Sequence, residues 1–85
     1  MKIQLIEGQF TSREALDFIT QFIHVKIRFH ENKIHTMSSE EDIKMREQKI
    51  QRLQKQLYEA KKMIEKSKED FFLSSEILIL GNHGA

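Results

Sequence analysis

From Ile43 to Ile64 the apolar residues return every three or four positions. Ile43, Ile50, Leu57 and Ile64 fall at one heptad position and Arg46, Leu53 and Ala60 at the other, so six of the seven are apolar. That pattern predicts a long helix with a narrow seam, built to pack on another helix in coiled-coil fashion. Ser38 and Glu41 stand at capping-box spacing, and Glu40, Glu41 and Asp42 suit the positive end of the helix dipole. The expected span is Ser39 to about Lys68. Its outer face carries Glu40/Lys44, Asp42/Arg46 and Lys61/Glu65 at i,i+4 spacing, each pair worth a few tenths of a kcal/mol.

An earlier helix has a different face. Thr11 and Glu14 form a second capping box, with Phe10 placed to staple onto Ala15, and the helix is expected to reach about His35. Ala15, Leu16, Phe18, Ile19, Phe22, Ile23, Val25, Ile27, Phe29 and Ile34 share one side of it. Their arc is roughly 200° wide, against ~100° for an ordinary surface helix. One partner helix does not cover such an arc, so a sheet or another subunit must supply the rest. Ile19, Ile23 and Ile27 are the candidates for a subunit contact. The link His35-Thr36-Met37 holds no Gly or Pro and is short, which makes the two helices antiparallel neighbours.

Strand signals flank the hairpin. Lys2 to Glu7 alternates, with Ile3 and Leu5 on one face and Lys2, Gln4 and Ile6 on the other, and Gly8 is expected to end it. After Glu69-Asp70, Phe71 and Phe72 are expected to plug the base of the hairpin, and Glu76 to Leu80 reads as a strand with two apolar faces. The fold class is therefore α+β, predominantly helical: β-α-α-β, a long antiparallel helical hairpin inserted between two short antiparallel strands. Residues 1–80 make a single domain and residues 81–85 a flexible C-terminal tail. A two-stranded ribbon is marginal alone, and pairing across a two-fold axis would complete it, so a homodimer is expected.

Composition narrows the function. The chain has 85 residues, 32% charged and 39% apolar, with no proline and no cysteine. So small a domain is often marginal by itself, and without cysteine neither a disulfide nor a thiolate-bound metal supplements its core. Oligomerisation is the remaining common supplement. The absence of cysteine suits a cytoplasmic protein. Net charge is +1, so no global field draws the chain onto nucleic acid or an anionic membrane. The N-terminal apolar run is too short for a signal peptide, and no run approaches the ~20 residues of a membrane span.

Candidate chemistry is sparse. FHENKIH resembles the metalloprotease pattern, but His30 and His35 are five apart. The extra residue turns the second imidazole about 100° away, so no metal or cofactor is expected. There is no cysteine nucleophile, no serine in a G-x-S-x-G setting and no Gly-rich phosphate loop, and no catalytic residue is assigned.

Lys26 and His30 fall inside the apolar arc of the first helix at i,i+4 spacing, with Lys33 one turn on. Such a row suits an anionic ligand or a partner's carboxylates. With the link centred near residue 37, Lys26 would meet Glu47, His30 the level of Ile43 and Lys44, and Lys33 Glu40 or Glu41. Phe22 would lie near Leu53, Phe18 near Leu57 and Ala15 near Ala60, and Arg46 would reach water near the link. Lys44, Lys49, Arg52 and Lys55 form a basic segment of the second helix, a nucleic-acid contact if two subunits align them.

These features point to a small, non-enzymatic, homodimeric scaffold or adaptor that meets itself, and another protein, through its helical hairpin. A nucleic-acid-binding regulator using the basic half of the second helix is the second reading. A binder of anionic small molecules at the Lys26/His30 row is the third.

Overall fold

Two helices and two strands follow in the expected order in the computed structural model, which describes residues 1–36 and 39–82. They are β1 (Lys2–Phe10), α1 (Ser12–Thr36), α2 (Glu40–Lys66) and β2 (Phe71–Leu78). The strands pair antiparallel as a two-stranded sheet.

Helix α1 begins as its first residues dictate. The Glu14 amide donates to Thr11 Oγ1 at 3.1 Å and the Thr11 amide donates to Glu14 Oε1 at 2.9 Å. Two backbone donors that a helix start leaves unpaired are thereby satisfied reciprocally. At the other end the Thr36 hydroxyl donates to the Lys33 carbonyl. Helix α2 is capped by Ser39, whose hydroxyl accepts from the Asp42 amide at 3.5 Å. The expected Ser38 cap lies outside the described residues. Helix α2 ends where the Ser67 amide donates to the Ile64 carbonyl.

The heptad reading of α2 holds position by position. Ile43, Arg46, Ile50, Leu53, Leu57, Ala60 and Ile64 are its half-buried or buried residues, and all its other residues are exposed. They face α1, which presents Leu16, Ile19, Ile23, Ile27, His30 and Ile34 as protected positions at complementary spacing. The buried apolar side chains, Ala15, Leu57, Ile64 and Ile6, gather at the base of the hairpin. There the Ser12 hydroxyl donates to the carbonyls of Ser67 and Glu69, tying the start of α1 to the end of α2.

The helices meet in a register displaced from the expected one. His30 lies against Arg46, not at the level of Ile43 and Lys44. The reason is local: α1 extends to Thr36 and α2 starts at Glu40, so the link centres one residue later than residue 37. In an antiparallel pair each such shift moves opposing positions by two. Lys26 accordingly sits beside Lys49 and Arg52 and not Glu47, and Lys33 lies over the Phe29 ring, 5.7 Å from its centroid.

Both strands are longer than their alternation suggests. Gly8 does not end β1; it continues it at φ +152°, pairing with Leu73, in a backbone region that residues with a Cβ rarely adopt. Leu5 is an extra residue, since Gln4 pairs with Glu76 and Ile6 with Ser75. Such a bulge reverses the alternation, so Ile6 shares a face with Ile3 and is buried, while Leu5 is exposed. The Gln4 amide group fills the irregularity, donating to the Ile6 carbonyl at 2.9 Å and to the Ser75 carbonyl and Ser74 hydroxyl at 3.3 Å.

Strand β2 starts at Phe71, not Glu76, and the ladder continues through the mutual Met1–Ile79 backbone bonds. Phe71 pairs with Phe10 and is half-buried, but Phe72 points outward and is 61% exposed, so it does not plug the hairpin. The ribbon lies along the first half of α1. Phe10 meets Phe18 edge-on at 5.1 Å, Phe18 stacks on Phe22 at 6.2 Å, and Ile6 and Leu73 close over Phe18, Ile19 and Phe22 around a cavity of about 110 Å³. Among the described residues neither strand's backbone approaches α2. The resulting plate measures 46 × 30 × 14 Å.

Candidate anion-binding groove

Beyond the ribbon the hairpin changes character. His30 stands at a seam position of α1 and is 5% exposed. Opposite it stands Arg46, the one polar residue of the α2 seam, whose Nη1 lies 2.8 Å from His30 Nδ1. A guanidinium only donates, so Nδ1 must accept. The imidazole is therefore held as the neutral tautomer with its proton on Nε2. Nε2 is buried and has no hydrogen-bond partner among the described residues. Burial holds the His30 pKa below its ordinary 6.5, and the Arg46, Lys49 and Lys26 charges push it the same way. Arg46 also stacks over Phe29, its Cζ 5.6 Å from the ring centroid, and Phe29 meets the His30 ring at 5.6 Å.

On one side of this pair the helices leave a groove of about 290 Å³. Lys26 and His30 line it from α1, and Lys49, Arg52, Leu53 and Gln56 from α2. Three formal cations, a neutral imidazole and an amide thus border one hollow, with no carboxylate in its lining. The spacing explains the convergence. Lys26 and His30 are one turn apart on α1, while Lys49, Arg52 and Gln56 succeed one another at three and four residues on the edge of the α2 seam.

Of the residues assigned to anion or nucleic-acid contact from sequence, Lys26, His30, Lys49 and Arg52 are brought together. Lys44 is not with them; it lines a separate groove of about 350 Å³ with Glu40, Glu41, Ile43 and Glu47. Lys55 is exposed and lines neither. Arg46 is half-buried and reaches water as expected, and it also bonds to His30, a contact the sequence reading does not include. The signal was available, since both residues interrupt apolar seams. A larger hollow of about 630 Å³ runs along the first turns of α1, bordered by Arg13, Glu14, Asp17 and Lys61 among others. Its carboxylates are engaged locally, Glu14 in the helix cap and Asp17 by the Gln21 amide.

The residues assigned to subunit contact are partly covered. Ile19 borders the small cavity under the ribbon, and Ile23 and Ile27 are half-buried at seam positions. The open apolar side of α1 lies beside these positions on the helix. Phe22, Val25 and Phe29 are 40%, 63% and 52% exposed, continuing from Phe18 at helical spacing. His24 and His35 are exposed. Among the described residues no three His, Cys, Asp or Glu side chains gather as metal ligands, and no helix is long and apolar enough to cross a membrane. No family model, curated protein or solved structure matches this chain.

Proposed function

We propose that this chain is a non-enzymatic, self-associating interaction module, a homodimeric scaffold that uses the outer face of α1. The observation that carries this reading is the uncovered stripe of Phe22, Val25 and Phe29. A helix with two apolar faces has one face in the hairpin seam, and the ribbon reaches only the first half of the other. Surface area supports the same reading. The protomer exposes 7214 Å², whereas a folded monomer of this mass exposes about 5,300 Å². The excess exceeds the ~800 Å² that each partner of an ordinary stable interface buries. The Cα radius of gyration, 16.0 Å, likewise exceeds the ~12 Å of a compact chain of this length. The lack of cysteine fits work in a reducing compartment such as the cytoplasm.

Sedimentation equilibrium of the wild-type chain and Val25→Asp tests the proposal. Val25 is largely open in the protomer, so the substitution should leave the circular dichroism unchanged while shifting the mass from dimer to monomer. A wild-type chain that stays near 10 kDa at millimolar concentration would overturn self-association. A dimer unaffected by Val25→Asp would overturn its placement on this stripe.

A further inference from the structure

We propose that the groove between Lys26, His30, Lys49 and Arg52 is a binding site for a compact phosphate-bearing anion carrying at least two negative charges. Overall charge does not account for the cluster, because the chain is nearly neutral at +1 and holds 13 carboxylates. Those carboxylates lie elsewhere, and none lines this groove. Like charges gathered along one exposed groove, with no carboxylate in its lining, repel one another, the more so at low ionic strength. An anion between them removes that repulsion.

The donor set favours phosphate over a single carboxylate. A monocarboxylate would leave two of the three cations unneutralised. Arg52 presents a planar fork that matches two phosphate oxygens at once, and Lys26 and Lys49 are mobile point charges on opposite helices. The buried neutral His30 adds a second, independent observation. Its Nε2–H is a donor without an acceptor, and buried donors in folded proteins nearly always have one. His30 borders the groove, so an oxyanion seated there supplies one on displacing the side chains that now bury Nε2. Arg46 then acts as a positioning residue, since its bond to Nδ1 keeps the proton on Nε2.

A compact ligand fits better than an extended phosphodiester. The hollow is about 290 Å³, and further along α2 Lys44 is surrounded by Glu40, Glu41 and Glu47, which would repel a continuing polyanion. This inference does not rest on self-association.

The test is a two-dimensional NMR titration of the full chain with pyrophosphate at constant ionic strength, in parallel with a single-stranded oligonucleotide of about ten residues. Saturable shifts in the His30 ring and at Lys26, Lys49 and Arg52 are expected. Lys26→Gln/Arg52→Gln should weaken pyrophosphate binding at least about tenfold, by the loss of charge-assisted hydrogen bonds. Lys61→Gln/Lys62→Gln, on the far part of α2, should leave it within about twofold. Shifts spread evenly over all lysines, or no response of His30 at millimolar pyrophosphate, would overturn the site. Oligonucleotide binding through these residues without pyrophosphate binding would overturn the compact ligand and assign the groove to nucleic acid. Sedimentation of the same samples separates the two proposals: if pyrophosphate dissociates a dimer, the groove belongs to the subunit contact and the ligand assignment fails.

Discussion

Replacing His30 and Arg46 by leucine, singly and together, tests how the seam of the hairpin is held. His30 is 5% exposed and its Nδ1 depends on Arg46 Nη1 at 2.8 Å. Arg46→Leu removes that donor and leaves both ring nitrogens unsatisfied, at a cost of about 1–3 kcal/mol. Leucine at a seam position recovers part of it through apolar burial. His30→Leu has two opposing effects. It removes the unpartnered Nε2, which stabilises, and it strands the Arg46 guanidinium, which is only half-buried and reaches water. That single variant should fall close to wild type. In the double variant two leucines meet where a polar pair stood, and such exchanges are often neutral to stabilising by 1–4 kcal/mol. The expected order of stability is double variant first, wild type and His30→Leu next, Arg46→Leu last. The coupling between the two sites should be about 1–2 kcal/mol. Urea unfolding followed at 222 nm, at pH 7.5 and one fixed protomer concentration, measures all four corners of the cycle. Additivity within about 0.5 kcal/mol, or a double variant less stable than wild type, would refute the contact or its burial.

The same pair sets a pH dependence. The folded His30 pKa lies below 6.5, with Lys26 on α1 and Arg46 and Lys49 on α2 facing the ring, so below pH 6.5 the unfolded chain takes up a proton that the folded chain refuses. Stability attributable to His30 should be constant above that pH, fall on acidification until the lowered folded pKa is reached, and lose this dependence in His30→Leu; urea midpoints between pH 5 and 8 check it. Gly8→Ala should destabilise by about 1–3 kcal/mol through backbone strain at φ +152°, although a Cβ there meets nothing within 4 Å; an unchanged melting temperature would contradict the assigned backbone. Ile64→Ala, at a residue 2% exposed, should cost about 2–5 kcal/mol, a large share of the ~4–13 kcal/mol expected for a chain of this length, measured by thermal or urea unfolding. Amide hydrogen exchange should be slower around Ala15 and Ile64 than around Ile34 and Ile43, because the buried apolar core sits at the base of the hairpin; uniform protection along both helices would count against that gradient.

The helices were legible because their signals are local and redundant. Thr11 and Glu14 are three residues apart and need no tertiary information to cap α1, and the α2 seam repeats through three heptads, so no single ambiguous residue decides it. The strands were harder. Alternation assumes an uninterrupted pleat, and the extra Leu5 reverses it between Gln4 and Ile6, a long-range event that depends on Ser74 and Ser75 of the other strand. Gly8 signals a strand end, yet the residue that ends strands is also the one that tolerates φ +152° inside them. Register failed through leverage: one residue of error in the centre of the link becomes two at every opposing position. Lys26 therefore changed from a partner of Glu47 to a neighbour of Lys49 and Arg52, and an expected ion pair became part of a cationic groove.

The two ends of the hairpin are built to different rules. At the base, Ile6, Ala15, Leu57 and Ile64 are enclosed by ribbon and helices together, and the hydroxyl of Ser12 locks the chain crossing. Toward the link the ribbon is gone, and the seam gives up apolar contact for His30 and Arg46. A polar pair there costs stability relative to leucine, but it penalises other registers, because any slip leaves a buried imidazole or a seam guanidinium without its partner. The half of α1 that carries this pair also carries exposed Val25 and Phe29 and, on another side, the Lys26 edge of the groove. An anion in the groove would bind only the closed hairpin, since the groove has walls on both helices and vanishes when they part, whereas the stripe lies on α1 alone. Binding in the groove therefore stabilises the weaker end selectively. Self-association through the stripe needs only an ordered α1, so it couples to anion binding only as far as closing the hairpin orders that helix.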